Sequence, residues 1–301
     1  MIRVFVLLLG IAVGSAADFK ILRNLDYVGD GNPRQMLDLY LPVDRTEDEQ
    51  SPVLVWIHGG AWAKGSKDSP RLALQVAEER SCAIVSINYR LTDEAQWPSQ
   101  LHDCKAAVRW IRANAKKYKL NSKRIVLWGA SAGGHLVSMM GATQDREFYD
   151  GALGEHVGVS TQVAGIVNFF GPTDLSVMNQ QGSKMDHDGP QSPEGKLLGG
   201  RVSNRVSKAK EASPYHQVNK LAPPFMTVHG TDDPLVPFEQ GRALDHKLDE
   251  LGVLSILITV QNGKHGGGFG PSVASEVRSF LECYLFGQKK ALTDKVVEAR
   301  F

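Results

Sequence analysis

Six apolar-rich runs punctuate the chain, near positions 53–57, 83–88, 125–128, 164–170, 224–229 and 254–260. Continuous runs of this kind, without the alternation of a half-exposed strand, predict strands buried on both faces. Between them apolar residues recur at helical spacing, which predicts helices near 69–80, 99–118, 132–142, 239–251 and 272–286. Strand and helix in alternation imply the α/β class, with a mostly parallel central sheet flanked by helices on both faces. Ahead of the first run, Gly29-Asp30-Gly31-Asn32-Pro33 lies between Tyr27-Val28 and the stretch Met36 to Leu41. That pattern, spanning Leu25 to Pro42, predicts a hairpin at the sheet edge.

Three stretches depart from the alternation. From Leu175 to Lys220 the composition shifts to Gly, Ser, Pro, Gln and Lys, with little apolar periodicity. This stretch is too short and polar to bury a core of its own, so a lid-like insertion near 175–220 is expected rather than a second domain. Gln288 to Phe301 is expected to form a charged tail that contributes little. At the other end, Arg3 precedes an apolar run from Val4 to Val13 and the small residues Gly14-Ser15-Ala16-Ala17. This arrangement predicts a signal peptide over residues 1–17 and a single domain over 18–301, exported to the periplasm or secreted. The apolar run falls short of the roughly 20 residues that span a bilayer, so no stable membrane anchor is expected.

The 42% hydrophobic content of the 301 residues can fill one large core. Its 34 basic and 33 acidic residues give a net charge of +1, and loss of Arg3 with the leader would bring this to zero. A balance so even recommends neither nucleic acid nor an acidic membrane as partner. Cys82, Cys104 and Cys283 are scattered and form no CxxC cluster, and their pairing is left open; Cys104, beside Ala106 and Ala107, fits a buried apolar thiol.

The chemistry concentrates at strand ends. Val126-Leu127-Trp128 runs into Gly129-Ala130-Ser131-Ala132-Gly133, a Gly-x-Ser-x-Gly motif between a strand and a helix, where a sharp turn would expose a nucleophilic serine. The strand 53–57 ends in His58-Gly59-Gly60-Ala61-Trp62, a glycine-rich loop able to aim backbone N–H groups at a developing oxyanion. Ala132, Gly60 and either Gly59 or Ala61 are the expected donors, and His58 is expected to orient that loop. The strand 224–229 opens onto Gly230-Thr231-Asp232-Asp233-Pro234, and the strand 254–260 is followed by Gly263-Lys264-His265-Gly266-Gly267. Asp233 is the expected acid, with Asp232 its rival, and His265 the expected general base. The order Ser131, Asp233, His265 is that of the α/β-hydrolase fold. Ligands of open α/β sheets bind where these residues fall, at the carboxyl ends of the strands.

The remaining candidates have plainer roles. Asp174 after the strand 164–170 is expected to cap a turn. His135 is expected in the core, His229 ends a strand, and His102, His216 and His246 show no partner spacing. No HExxH spacing occurs, so no catalytic metal is expected, and Asp186-His187-Asp188 is expected in an exposed polar loop.

Beyond these motifs the chain resembles the bacterial bifunctional acetylxylan and feruloyl esterases of the α/β-hydrolase superfamily. The resemblance covers roughly Leu25 to Phe286 and is carried by Leu37-Asp38-Leu39-Tyr40-Leu41-Pro42, Asn88-Tyr89-Arg90-Leu91, Trp97-Pro98-Ser99-Gln100-Leu101-His102-Asp103 and Ser192-Pro193-Glu194-Gly195-Lys196-Leu197-Leu198-Gly199-Gly200, besides the loops already quoted. It implies a cofactor-free serine esterase acting on acetyl or feruloyl esters, with acetylated or feruloylated plant polysaccharide as the expected partner. The segment Lys264-His265-Gly266-Gly267-Gly268-Phe269 is richer in glycine than the family pattern, which implies a mobile histidine loop. Two other activities share these residues: an exported aminopeptidase or amidase on the same triad, and a non-catalytic binding module.

Overall fold

A computed structural model describes residues 18–46, 49–68, 70–77, 81–144 and 146–301. The expected signal peptide lies outside the described residues. Side chains alternate across a strand, so each buried run feeds two cores. In β3 (Ser51–Ile57), Val53, Val55 and Ile57 enter one core while Leu54 and Trp56 enter the other. The longer β5 (Leu120–Ala130) divides in the same way, Ile125 and Leu127 against Val126 and Trp128.

The hairpin strands β1 (Phe19–Asp26) and β2 (Met36–Pro42) precede β3, and α1 (Arg71–Ala77) leads into β4 (Ala83–Ile87). Next come α2 (Ser99–Ala113), α3 (Ala115–Tyr118), β5, α4 (Ala132–Ala142), α5 (Glu147–Asp150) and β6 (Gly165–Phe169). Short helices α6 (Pro193–Leu198), α7 (Val206–Glu211) and α8 (Pro214–Gln217) follow, then β7 (Phe225–Gly230), α9 (Phe238–Glu250), β8 (Ser255–Gln261), α10 (Pro271–Tyr284) and β9 (Lys295–Glu298). The sheet order is β1-β2-β4-β3-β5-β6-β7-β8-β9, antiparallel through β1, β2 and β4 and parallel from β4 onward. Helices α2, α4 and α9 supply one core, and α1 and α10 the other. Among the described residues no helix is long and apolar enough to cross a membrane.

Some elements differ from expectation. The helix expected over 99–118 breaks at Asn114, whose Nδ2 donates to Trp110 O at 3.0 Å and so competes with the helical ladder. The C-terminal segment is no idle tail: β9 pairs in parallel with β8, Thr259 opposite Val296 and Val260 opposite Val297. One Val-Val pair in a charged run is too weak a pattern to announce a strand, and the open edge of β8 supplies the pairing. The 175–220 segment places Leu197, Leu198, Val202, Ala209 and Ala212 in the core shared with α2 and α4, spaced too irregularly for a periodic signal. Cys82, Cys104 and Cys283 are free thiols, and burial pushes the Cys82 thiol up to about 12.

One buried acid sets a pH dependence of stability. Asp245 on α9 accepts the Ser255 hydroxyl at 2.5 Å, and burial raises its carboxyl to about 6, helped by the nearby charges of Asp294 and Asp249. A carboxyl raised on folding binds its proton more tightly in the native state, so stability falls as pH climbs from the unfolded value of 3.8 through about 6. Asp245→Asn keeps an acceptor for Ser255 without the charge. Its melting temperature is expected to exceed that of the wild type by roughly 2–4 °C at pH 8 and to match it at pH 4. Equal melting temperatures at both pH values would contradict the assignment.

Candidate active site

Ser131 joins β5 to α4 at φ 55° and ψ −121°, a conformation that costs an L-residue free energy and persists only where its surroundings impose it. They do so by close approach: a Cβ at Gly129 would lie 2.3 Å from Gly133 O, and one at Gly133 would lie 2.1 Å from Ile57 O. The Ser131 N–H donates to Phe169 O at 2.8 Å, tying the turn to β6. Its hydroxyl makes no cap bond to the helix and is left available. Directly after it, the first N–H groups of α4, beginning with that of Ala132, have no acceptor within the helix.

The loop after β3 passes beside this turn. A Cβ at Gly59 would meet Ala130 O at 2.7 Å and Ser131 Cβ at 3.3 Å, so only glycine allows the approach. Gly60 has φ +113°, and its carbonyl accepts the N–H groups of Ala63 and Lys64 at 3.0 Å. Ala61 and Trp62 then take φ of 56° and 54°. Two histidines hold the loop. Burial lowers His58 to about 4, leaving a neutral ring that donates from Nδ1 to Gly59 O at 2.7 Å while stacking on Tyr89 with centroids 4.3 Å apart. Burial likewise lowers His135 to about 4; it accepts from Trp62 Nε1 at 3.2 Å and donates to Ala212 O at 2.7 Å. His135 thus packs in the core as expected and also links the glycine loop to the 175–220 segment.

Asp233 and His265 meet. The His265 Nδ1 lies 2.7 Å from Asp233 Oδ2, and Asp233 Oδ1 accepts the N–H groups of Leu235 at 2.8 Å and Val236 at 3.0 Å. Asp232 is exposed and accepts from Thr231 Oγ1 at 3.3 Å. Burial of Asp233 acts to raise its carboxyl, but the hydrogen bonds from His229, His265 and Val236 prevail and hold it well below the usual carboxylate range. His229, expected only to end a strand, stands fully buried with Nε2 3.0 Å from Val236 O and 3.5 Å from Asp233 Oδ2. It thereby ties the candidate acid's loop at Val236 and approaches the same carboxylate oxygen that His265 meets.

The histidine loop is also held. The His265 ring packs on Phe170 at 4.5 Å, Lys264 N–H donates to Gly267 O, and Arg300 N–H donates to Gly268 O. A Cβ at Gly268 would lie 2.7 Å from Ala299 Cβ, so glycine there leaves room for the returning C-terminal segment.

Ser131, Ala132, Ala61, Trp62 and His265 line one cavity of about 70 Å³, together with Met185, His187, Pro193 and Glu194 from the 175–220 segment. The geometry brings together the serine, the histidine, the acid and part of the glycine loop; Gly59 flanks the serine, while Gly60 turns against Lys64. Position 187 departs from expectation. Asp186 is exposed, but His187 is 3% exposed and sits 3.0 Å from the buried Glu194. A short polar stretch gives no local sign that one of its residues turns inward. Asp174 accepts the Ser176 N–H at 3.0 Å, as a cap should, and also meets His216 Nε2 at 2.9 Å.

The BD-FAE family model matches residues 37–248. Esterase LipC of Mycobacterium tuberculosis (strain ATCC 25618 / H37Rv) is 30% identical over 224 residues, 72% of this chain and 53% of its own length. The chain therefore spans about half the length of this relative. Among solved structures, a truncated carbohydrate esterase from gut microbiota superposes with a TM-score of 0.82 at 28% identity, covering 90% of this chain and 98% of that one. A bifunctional GH43-CE protein of Bacteroides eggerthii gives 0.81 at 31% identity, covering 88% of this chain and 35% of that one.

Proposed function

The chain belongs to the BD-FAE family of α/β-hydrolase esterases, and from that premise we propose that it is a serine carboxylic ester hydrolase that removes short acyl groups, acetyl in preference to feruloyl, from carbohydrate-linked alcohols. The cavity carries this reading. The space of about 70 Å³ beside Ser131 and His265 is small, which favours a short acyl group such as acetyl. A feruloyl group, with a substituted ring on a propenoyl arm, is far larger than an acetyl group. The carbohydrate esterase likenesses support a sugar on the alcohol side, and the leader expected at residues 1–17 fits action outside the cytoplasm.

In this reaction the Ser131 Oγ attacks the ester carbonyl while His265 Nε2 takes its proton. Negative charge builds on the carbonyl oxygen, which the Ala132 N–H and the N–H groups of the 59–61 loop receive. Collapse expels the alcohol, protonated by His265, and leaves an acetyl-serine. Water, deprotonated by the same imidazole, then releases acetate and restores Ser131. Asp233 keeps the His265 proton on Nδ1 and stabilises the imidazolium.

Kinetics on 4-nitrophenyl acetate, butyrate and octanoate, and on methyl ferulate, test the preference. kcat/KM is expected to fall at least tenfold from acetate to octanoate, with methyl ferulate slower still. Methyl ferulate turned over as well as the acetate would exclude the short-acyl reading.

A further inference from the structure

Glu194 occupies a fixed place at the start of α6. Pro193 sets the first helical position, and Ser192 Oγ accepts the Gly195 N–H at 2.9 Å. The residue is 2% exposed, yet it lines the cavity that holds Ser131 and His265. Its Oε2 stands 3.0 Å from His187 Nδ1 but off the angle a hydrogen bond requires, and neither atom has a hydrogen-bond partner among the described residues. On its other side, His187 Nε2 is satisfied by Ser183 Oγ at 2.7 Å. Burying a carboxylate is costly, and an Oε2 without a well-aligned donor adds to that cost. An acceptor with spare capacity on the wall of a reaction cavity is complementary to a donor that arrives with the substrate.

An acetyl group carries no O–H or N–H, so the donor must belong to the alcohol. A trimethylammonium has no N–H or O–H to give, whereas a hydroxyl on the alcohol supplies a donor. We infer that Glu194, lying against His187, is a specificity-determining residue that accepts a hydrogen bond from a free hydroxyl neighbouring the scissile ester, so that partly acetylated sugars and polyols are selected over simple alkyl acetates. This inference rests on the serine esterase reading and adds the residue that selects the alcohol. A site built to bond a substrate hydroxyl discriminates strongly against an analogue that lacks it, because its own buried group then stays unpaired.

The test compares a monoacetylated methyl xyloside with cyclohexyl acetate, a secondary ring ester without hydroxyls, in the wild type, Glu194→Leu and Glu194→Gln. The ratio of kcat/KM for the xyloside to that for cyclohexyl acetate is expected to fall about 10- to 100-fold in Glu194→Leu. A smaller fall is expected in Glu194→Gln, which keeps the shape and one acceptor oxygen and guards against loss of folding in the leucine variant. Equal losses on both esters, or an unchanged ratio in both variants, would overturn the inference, as would a wild-type preference for acetylcholine over the xyloside. A wild type that hydrolyses neither ester would sink the esterase reading itself. Turnover of both esters that Ser131→Ala abolishes, with the ratio indifferent to position 194, would sink only the role of Glu194.

Discussion

Ser131→Ala is expected to lower kcat for 4-nitrophenyl acetate by roughly ten thousand- to a million-fold, the range seen when a nucleophile that works with a positioned base is deleted. The loss follows from chemistry rather than from folding. The Ser131 hydroxyl makes no cap bond to α4, and the turn is fixed by the Ser131 backbone N–H on Phe169 O and by the close glycine contacts, all of which survive the substitution. A melting temperature within about 2 °C of the wild type is therefore expected alongside the loss. Stoichiometric labelling by a fluorophosphonate should vanish in the same variant. Retention of more than a tenth of the wild-type rate, or undiminished labelling, would mean that the nucleophile lies elsewhere.

The sheet was legible in the sequence because its strands are buried on both faces, which makes them continuous apolar runs, and the serine because strand, elbow and helix leave a local signature. The acid was narrowed to two neighbours by position alone. What separates Asp233 from Asp232 is a pair of backbone N–H groups and two imidazoles, one of them 32 residues away. Contacts of that kind have no sequence period. The same reason hides Glu194 and His187, whose inward turn depends on how short helices seat against α2 and α4. It also hides β9, which becomes a strand only because β8 offers it an edge. Periodicity reveals which face of an element is buried; it does not reveal which polar residue will find a partner across the fold.

The acid yields the second large prediction, and the geometry states why asparagine is a poor substitute. In the native protein Asp233 Oδ1 faces the N–H groups of Leu235 and Val236, while Oδ2 faces His265 Nδ1. An asparagine must turn its carbonyl oxygen to the two N–H donors, since its amide nitrogen would meet them donor to donor. The amide NH2 then points at His265 Nδ1, which can only accept. The ring proton is driven to Nε2, where a base for Ser131 requires a lone pair. kcat of Asp233→Asn is accordingly expected to fall roughly ten thousand-fold with little change in backbone structure, whereas Asp232→Asn, on an exposed side chain, should change it by less than about threefold. A second measurement separates this from general damage. Because the Asp233 carboxyl is held well below its usual range in the folded protein, its contribution to stability is complete above the unfolded value of 3.8 and is lost as pH falls toward the depressed native one. The wild type should lose melting temperature more steeply than Asp233→Asn as pH is lowered below about 4. Parallel acid limbs in the two proteins, or near-wild-type turnover by the asparagine variant at neutral pH, would show that Asp233 does not hold the imidazole in the way its hydrogen bonds imply.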